Sequence, residues 1–546
     1  MEDLPRQVPL VVAARGKRLY HVVASHRNVP GSLQDILSQL SSRGFDLLSL
    51  SVSNLDDRAS VSSLFVTLPD ASPGADDLEG TIRDCRNVMS CKVELGDDGM
   101  MFEEPYAVRI ETGERVILIR QETFARMLRR ARELLGSGGD SIVFEEGMAA
   151  GRFEVNQLAA VAGMDRLRRH ELQILNGLKA RGWGRTRVVK SGGPWEERVY
   201  RVDDSLECTG QTSDRPFSQF VRGYISGFHE GLWGAKITCT ELKCVAEGDQ
   251  SCEFKLSPSA GGEKAGRIPA RHESRKEAVP RSSQPLSYFT HLPVVYYSQK
   301  HMTFQVRAKL RNVPGALADV LKRLADAGLN LESTSGYVEP DDEVGLFSTF
   351  GQSTRGNQGR EGLKRLIEGS SYVVEADVQE SSDGLLFEHG TYPVIVPGGQ
   401  RAVAFRQPVF RAMLSRVRTL LGEGGDLLLY EEGEAAGRGT GRFWSGLLGK
   451  AFVRDRFPEF AKTYSAMGWA RTRAVVDSAD PLKVTLSLED CFECDGHESA
   501  APSSQVFRGH VAGFLEELFE RRVRCSEELC VSRGDDRCEF RVSQEE

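Results

Sequence analysis

The chain has 546 residues, of which 40% are hydrophobic and 27% are charged, so we expect several globular domains. Its net charge of -8 and its pI near 5.9 argue against a general nucleic-acid binder. The N-terminus has no apolar signal segment and no apolar run reaches about 18 residues, so we expect a cytoplasmic protein without membrane contact. In a reducing compartment, its eleven cysteines indicate metal sites or buried thiols rather than disulfides.

An internal repeat dominates the sequence. HRNVPGSLQDILSQLSSRGFDL at residues 26–47 returns as LRNVPGALADVLKRLADAGLNL at residues 310–331, which is 284 positions later. FARMLRRARELLGSGGDSIVFEEGMAAGR, from Phe124, returns as FRAMLSRVRTLLGEGGDLLLYEEGEAAGR, from Phe410, which is 286 positions later. Each half therefore contains the same two modules in the same order, as in a tandem duplication.

The first module occupies residues 1–98, and its copy occupies residues 291–383. In the copy, FQVRAKL alternates as a strand does, RNVPG forms a turn, and ALADVLKRLADAG carries apolar residues at helical spacing. A further strand, a strand, a helix and a last strand complete the order βαββαβ, which predicts a ferredoxin-like sandwich. The predicted fold class of the whole chain is α+β, with these two modules and two mixed α/β modules.

The sequence RNVPGALADVLKRLADAGLNLES resembles the ACT domain, with its strand, Pro-Gly turn, helix and GLNL segment, so we call this module ACT-like. The resemblance implies a small regulatory module that binds amino acids at the Pro-Gly turn, where helix N-terminal amides meet a neighbouring sheet. The positions that match the family's contact residues are Asn28, Gly31, Asn312, Gly315 and Asn330. The alternative is that the two modules pair side by side into one sheet and bind nothing.

The second module follows a strand-like connector, and the two together span residues 99–256 and 384–546. It opens with an amphipathic helix whose arginines, including Arg132, are predicted to lie on the solvated face. DSIVFEEG and DLLLYEEG are predicted to be buried strands, and Trp183 and Trp469 are predicted to be core residues.

Residues 257–290 separate the two halves. They are rich in Ser, Pro, Gly and charge and nearly devoid of large apolar side chains, so they predict a flexible linker. The segment has more Lys and Arg than Glu. It lacks aromatic residues for stacking on bases, however, which favours a solubilising tether over a nucleic-acid or membrane contact.

Four cysteines recur in both halves with the spacing C-x30-C-x4-C-x7-C. They are Cys208, Cys239, Cys244 and Cys252 in the first half and Cys494, Cys525, Cys530 and Cys538 in the second. Four thiolates suit a closed tetrahedral site, so the sequence predicts structural zinc, about two ions per chain. The alternative is a set of buried thiols, which is also the prediction for Cys85, Cys91 and Cys491 because these have no counterpart in the other half.

The string E-x-x-C-x-x-x-G-D-x-x-C-E-F begins at Glu241 and again at Glu527, each time after a helix with a G-x-x-x-G sequence. These segments resemble the 4-vinyl reductase (4VR) domain over residues 120–256 and 406–543, so we call the second module of each half the 4VR module. The resemblance implies a mixed α/β module with an apolar pocket for a small, often aromatic ligand near a structural zinc.

The same resemblance implies a set of zinc ligands: a cysteine before the helix, the glutamate of the string and both of its cysteines. Ser218 and Ser504 stand here in place of the first cysteine. The predicted replacements are Cys208 and Cys239 with their copies. Glu241 and Glu527 are then alternative ligands or neighbours of the ligands.

The sequence shows no phosphate loop, nucleophile elbow or dinucleotide fingerprint, which favours a binding role over an enzymatic one. The first hypothesis is a small-molecule-binding regulatory or sensor protein for an aromatic or other apolar ligand, or an amino acid, acting as a homodimer or through a protein partner. The alternatives are a reductase or accessory protein for tetrapyrrole or aromatic substrates, and an assembly scaffold like those of TRAPP trafficking complexes. Direct nucleic-acid binding is not expected, since no helix-turn-helix is evident.

Overall fold

The structure is a computed structural model. It describes residues 1–8, 10–14, 16–68, 73–96, 99–102, 108–110, 113–192, 196–258, 289–298, 302–338, 342–353 and 359–545. The predicted linker, residues 257–290, lies outside these ranges except for its two residues at either end. Within the described ranges, no helix has both the length and the apolarity needed to cross a membrane.

The first half contains thirteen strands and eight α-helices within the described residues. Its ACT-like module and the strands before it are β1 (Leu4–Gln7), β2 (Val11–Ala13), β3 (Arg18–Arg27), α1 (Ser32–Ser42), β4 (Asp46–Asn54), β5 (Ala59–Leu68), α2 (Ala75–Arg83) and β6 (Val88–Leu95). Its connector and 4VR module are β7 (Met100–Phe102), β8 (Val108–Arg109), β9 (Arg115–Arg120), α3 (Gln121–Leu135), α4 (Ser137–Ala162), α5 (Met164–Arg169), α6 (Glu171–Ile174), α7 (Asn176–Ala180), β10 (Arg185–Lys190), β11 (Arg198–Asp203), α8 (Gln219–Trp233), β12 (Ile237–Lys243), a 3₁₀ turn (Val245–Glu247) and β13 (Cys252–Pro258).

The second half repeats this order. Its first part is β14 (Thr290–His291), β15 (Val295–Tyr297), β16 (Thr303–Arg311), α9 (Ala316–Asp326), β17 (Leu329–Tyr337), β18 (Val344–Ser353), α10 (Gly359–Glu368) and β19 (Val373–Ser381). Its second part is β20 (Leu385–Phe387), β21 (Thr391–Val396), β22 (Gln400–Arg406), α11 (Gln407–Leu421), α12 (Glu423–Leu448), α13 (Lys450–Asp455), α14 (Phe457–Phe460), α15 (Lys462–Ala466), β23 (Arg471–Ala479), β24 (Leu482–Glu489), α16 (Gln505–Phe519), β25 (Val523–Leu529), a 3₁₀ turn (Val531–Arg533) and β26 (Cys538–Gln544).

The ACT-like modules of the two halves share one eight-stranded sheet, in the order β19-β16-β18-β17-β4-β5-β3-β6. The antiparallel pair β4 and β17 joins them, and Ser51 lies opposite its own counterpart Ser335. Alternate strand residues and the apolar faces of α1, α2, α9 and α10 form a single core, so all four helices cover the same face. The assignment of these modules to the ACT family stays a prediction.

A second sheet joins the connectors, in the order β1-β21-β22-β9-β8-β14. Leu118 of β9 lies opposite its counterpart Ala404 of β22, so a pseudo-twofold axis passes between them. At the two edges the halves exchange strands, because β1 pairs with β21 of the second half and β14 pairs with β8 of the first. Trp183 and Trp469 are buried, and each indole nitrogen donates a 2.8 Å hydrogen bond across the axis, to the carbonyls of Ala404 and Leu118.

Each 4VR module combines a four-stranded antiparallel sheet, β10-β11-β13-β12 or β23-β24-β26-β25, with a closely packed helix pair. In the first copy, Gly147 and Gly151 of α4 face Gly223 and Gly227 of α8 so tightly that a methyl group on any of them would collide with the backbone of the other helix. The predicted strands DSIVFEEG and DLLLYEEG are therefore wrong, since both lie inside the long helices α4 and α12. Their short apolar runs fit a strand or a buried helix equally well.

The predicted solvated position of Arg132 is also wrong. Its side chain is buried, and its guanidinium lies 2.6 Å from the Asp140 carboxylate and 3.6 Å from the Glu207 carboxylate. It also donates a hydrogen bond to the Phe217 carbonyl and lies over the Phe217 ring. The helix periodicity could not show this, because Glu207 and Phe217 belong to a segment that follows much later in the chain.

Candidate functional site

Two clusters of possible metal ligands lie in equivalent places in the two halves. Cys208, Glu241, Cys244 and Cys252 form the first, and Cys494, Glu527, Cys530 and Cys538 form the second. In each cluster the four ligand atoms lie within 4.8 Å of one another, and all eight residues are buried. The structure thus brings six of the eight predicted cysteines together with both alternative glutamates.

Four separate segments position the first cluster. Cys208 follows β11, Glu241 lies on β12, and Cys244 and Cys252 flank the 3₁₀ turn. The Asp249 carboxylate accepts a 2.8 Å hydrogen bond from the Cys244 amide, which fixes the Gly-Asp turn.

Backbone amides surround the sulfurs of this cluster. The Cys244 sulfur accepts the Phe217 amide at 3.3 Å, and the Cys252 sulfur accepts the Val245 amide at 3.4 Å. In the second half the Cys538 sulfur accepts the Val531 amide at 3.4 Å. Such amide donors stabilise negative charge on sulfur, as a metal-bound thiolate requires.

Cys239 and Cys525 belong to neither cluster. Each lies two positions before its glutamate on β12 or β25, so both side chains of a pair point to the same face and are separated by roughly 7 Å along the strand. Only the glutamate is near enough to the turn, and Cys239 and Cys525 pack into the apolar core instead. Burial raises the pKa of both thiols to about 12. This geometry corrects the predicted set of four sulfur ligands.

The serines that replace the family cysteine lie inside the clusters. The Ser218 hydroxyl lies 3.0 Å from the Cys208 sulfur and 3.4 Å from the Cys252 sulfur. In the second half the Ser504 hydroxyl lies 3.0 Å from the Cys494 sulfur. Cys491, predicted to be an unrelated buried thiol, also contacts Ser504, at 3.5 Å. By contrast, Cys85 and Cys91 lie in the ACT-like module, far along the chain from both clusters.

The donor set fits zinc. A tetrahedral site with Zn–S bonds of about 2.3 Å places its sulfurs about 3.8 Å apart. Cys208 and Cys244 are 3.7 Å apart, and Cys494 and Cys530 are 3.5 Å apart. The Glu241 Oε1 atom is buried and has no hydrogen-bond partner in the described part of the chain, as a metal-facing oxygen would be. Without a cation, burial raises the pKa of Glu241 to about 8 and that of Glu527 to about 9.

A buried glutamate beside each cluster was missed from the sequence. Glu207 accepts hydrogen bonds from the amides of Phe220, at 3.1 Å, and Val221, at 2.7 Å, and so caps α8. Glu493 caps α16 in the same way. Burial raises the pKa of both carboxyls to about 7, against the lowering effect of Arg132 and Arg418. No local signature could reveal these caps, because Glu207 lies 13 positions before the first amide that it accepts.

An apolar cavity lies in the 4VR module of the second half, between the connector sheet, α12 and α16. Aromatic side chains form most of its wall, including Phe443, Trp444, Trp469 and Phe514. The space is therefore suited to the apolar body of a small molecule.

A chain of polar groups reaches into this cavity. Arg120 donates to the Thr440 hydroxyl at 2.9 Å, and Thr440 lies 3.0 Å from His510 Nε2. The Tyr464 hydroxyl lies 2.9 Å from His510 Nδ1. Burial lowers the pKa of His510 to about 3, so its ring is neutral.

The predicted ACT-turn residues line two other cavities, each between a Pro-Gly turn and the opposite module. Asn28, Gly31 and Asn330 line the first, where the Asn330 amide donates to Asn28 at 3.1 Å. Asn312 and Gly315 line the second, against α1 and β4. The structure therefore brings the two sets of turn residues to the two ends of the interface between the modules.

Two segments of the chain match the family model of the 4-vinyl reductase (4VR) domain: residues 198–258 and 484–544. Each match runs from β11 to β13 or from β24 to β26, and so contains one whole cluster and the G-x-x-x-G helix. The chain thus contains a duplicated 4VR domain, in which each copy carries a buried cluster of three cysteines and a glutamate.

Several solved structures are similar to about a quarter of the chain. The phenol-responsive sensory domain of the transcription activator PoxR, with phenol, is 20% identical, with a TM-score of 0.24, and covers 27% of this chain and 78% of its own. A vinyl-4-reductase family protein from Methanocaldococcus jannaschii is 24% identical, with a TM-score of 0.19, and covers 26% and 83%. A trafficking protein particle complex subunit 3 from Naegleria fowleri, covalently bound to palmitic acid, is 18% identical, with a TM-score of 0.21, and covers 26% and 95%. No curated protein matches the chain.

Proposed function

We propose that the chain is a small-molecule-binding regulatory protein. In this proposal each 4VR module is held together by a structural zinc, the 4VR module of the second half binds an apolar or aromatic ligand, and the paired ACT-like modules transmit the bound state to a partner. The family match supports the module type, and the two clusters of three cysteines and a glutamate support the metal.

The observation that carries the proposal is the cavity in the 4VR module of the second half. Ligand sites are mostly apolar and aromatic, with a few polar groups that fix orientation. This cavity has such a wall and offers Arg120, Thr440 and His510 as a connected polar edge. None of the cluster ligands lines it, which suits a structural rather than a catalytic metal.

The zinc would be held by Cys208, Glu241, Cys244 and Cys252 in the first copy and by their counterparts in the second. All four ligands come from the protein, so the site has no open position for a substrate. The ion would tie the loop before α8 to β12 and to the Gly-Asp turn. It supplies folding energy there, because the unfolded chain has no such site.

The ACT-like modules supply a possible second ligand site in this proposal. An amino acid would bind at the Pro-Gly turns, and the observation in favour is that Asn28, Gly31 and Asn330 surround one cavity while Asn312 and Gly315 line another. Sheet pairing without a ligand is the competing role, and the shared sheet supports it equally.

A thermal-shift screen of the full chain tests the proposal. Aromatic compounds should raise Tm in proportion to the logarithm of their concentration, and an amino acid should do so if the turns bind one. Native mass spectrometry of the protein from its own host should then show the bound compound. A chain that no small molecule stabilises would be a scaffold, and oxidation of a reduced nicotinamide in the presence of an aromatic substrate would make it a reductase.

A further inference from the structure

The two 4VR modules differ most where the cavity lies. Corresponding residues are related by 286 positions, and Arg120 and Arg406 are such a pair, each at the end of a central strand of the connector sheet. Each arginine reaches across the pseudo-twofold axis into the module of the other half. Arg120 contacts Thr440 of the second half, and Arg406 contacts Glu154 of the first.

In the 4VR module of the first half the position is closed by charge. The Glu154 carboxylate accepts hydrogen bonds from Arg406, at 2.8 Å and 3.1 Å, and from Arg181, at 2.7 Å. Arg406 also forms an ion pair with Glu114, and Arg181 donates to the Tyr224 hydroxyl at 3.2 Å. The side chains of Arg181 and Glu154 are 2% and 4% exposed, so this ion cluster is fully buried.

In the 4VR module of the second half every carboxylate of that ion cluster is replaced by a neutral side chain. Glu154 corresponds to Thr440, Glu114 to Gln400, and the second guanidinium, Arg181, to Met467. Among the described residues, Arg120 consequently donates only to neutral oxygens: Thr440 at 2.9 Å, the Ala436 carbonyl at 3.2 Å and Gln400 at 3.4 Å. Its charged neighbours are Glu122, Arg126 and Arg442, and two of these three repel it.

The cost of this arrangement indicates what the cavity binds. Removing a guanidinium from water is expensive unless an anion meets it. Arg406 has two carboxylates, whereas Arg120 has none within hydrogen-bond distance in the described part of the chain. It faces instead an apolar cavity walled by Trp444 and Trp469. Thr440, which replaces the carboxylate of the first copy, lines that open space.

We infer that the 4VR module of the second half binds a small organic anion with an aromatic or other apolar body. Its carboxylate meets Arg120 in the place that Glu154 takes against Arg406, and the apolar body lies on the aromatic wall. The 4VR module of the first half binds no such ligand, because Glu154 and Arg181 occupy the equivalent space. This inference rests on the proposed ligand-binding function and narrows it to one site per chain and one class of ligand, with Arg120 of the first half completing the site of the second.

The test uses the full chain and a series of probes. Benzoate, phenylacetate and 3-phenylpropionate are compared with their primary amides, which have the same shape without the charge, by thermal shift and by isothermal titration calorimetry. We expect at least one acid to raise Tm and to bind one molecule per chain, and we expect its amide to bind roughly tenfold to a hundredfold more weakly.

Three variants locate the charge. Arg120→Gln should remove the difference between acid and amide. Thr440→Glu rebuilds the internal carboxylate of the first copy, so it should abolish acid binding and raise Tm without ligand. Arg129→Gln, on the exposed face of α3, should behave as the wild type. If Thr440→Glu does not fold, Arg120→Gln alone decides the question.

Several results would overturn the inference. They are equal binding of acids and amides, an acid preference that survives in Arg120→Gln, two molecules bound per chain, and no binding of any acid. If the neutral amides bind and the acids gain nothing, the proposed ligand-binding function stands and only the inference falls. If neither series stabilises the chain, both fall.

Discussion

The Sγ atom of Cys208 lies 3.0 Å from the Oγ atom of Ser218, at the place where the family resemblance puts a cysteine of the helix N-terminus. The sulfur has therefore been supplied from the loop after β11, ten positions earlier, while the serine keeps its place in the cluster. The same pair recurs as Cys494 and Ser504, also at 3.0 Å. Each cluster has kept its donor set by exchanging the segment that provides one sulfur.

Metal content should depend on Cys208 and not on Cys239. Wild-type protein should hold close to two zinc ions per chain, and Cys208→Ser should hold close to one and lose roughly 3 kcal/mol or more of unfolding free energy. Cys239→Ser is the matched control, because its thiol lies on the same strand as Glu241 but outside the cluster. Elemental analysis of the three proteins decides. Loss of zinc from the Cys239 variant would restore the ligand set predicted from the sequence.

A cysteine at position 218 should rescue the loss of Cys208. Because the two side chains already touch, a sulfur on residue 218 can enter the same cluster with little movement. The double variant Cys208→Ala/Ser218→Cys should therefore recover the second zinc and most of the lost stability, as measured by elemental analysis and thermal unfolding. If the double variant holds only one zinc, the two positions are not interchangeable and the ligand geometry is different.

The glycines between α4 and α8 should tolerate no side chain. A methyl group at Gly151 would collide with the Tyr224 carbonyl and the Phe228 amide, so Gly151→Ala should lower the unfolding free energy by about 2 kcal/mol or more. Gly138, on the same helix, has open space around it. Gly138→Ala should be neutral or stabilise by about 0.5 kcal/mol, since alanine favours the helix. Urea denaturation compares the two, and equal effects would mean that the helices are not in close contact.

Breaking the ion cluster of the first 4VR module should be costly, and replacing it with residues of the second should not. Glu154→Gln leaves two buried guanidinium groups without their shared carboxylate, and it should destabilise the chain by roughly 3 kcal/mol. The double variant Glu154→Thr/Arg181→Met copies Thr440 and Met467 and should recover part of that loss. Thermal unfolding of both at neutral pH measures the difference. A double variant less stable than Glu154→Gln would show that the two pockets are not equivalent.

Lowering the pH should destabilise the second 4VR module through His510. Its folded pKa is about 3, below the unfolded value of about 6.5, so its contribution is present above pH 6.5 and is lost as the pH falls toward 3. Between pH 7.5 and pH 5.5 one such histidine lowers the unfolding free energy by about 1.4 kcal/mol. His510→Tyr, which copies Tyr224, should lose less over this range. Denaturation curves at the two pH values test this, and an unchanged pH dependence in the variant would contradict it.

Much of the architecture was predictable because the duplication is visible in the sequence. The periodicity of residues 316–326 and the Pro-Gly turn before them correctly indicate helix α9, and the repeated string from Glu241 correctly indicates the cluster. The choice between Cys239 and Glu241 was not predictable, since both point to the same face of β12 and only the position of the turn separates them. The long helices α4 and α12 were misread because their glycines look like breaks when the opposite helix is unknown.

The cavity was missed for a different reason. Its arginine comes from one half of the chain and its threonine from the other, 320 positions apart, so no local pattern links them. The difference between the copies was nevertheless present in the sequence. A position-by-position comparison shows Glu154 against Thr440 and Arg181 against Met467, which is a loss of charge at two sites that the rest of the repeat gave no reason to expect.

The exchange of strands β1 and β14 between the halves has a consequence for how the two 4VR modules came to differ. Two separate copies of one half could make the same contacts about a true twofold axis, as a homodimer does. In such a dimer both pockets are encoded by the same codons, and a change that opens one opens the other. Joining the copies in one chain removes that constraint, so one pocket can keep its internal ion pair as a rigid support while the other becomes free to take a ligand.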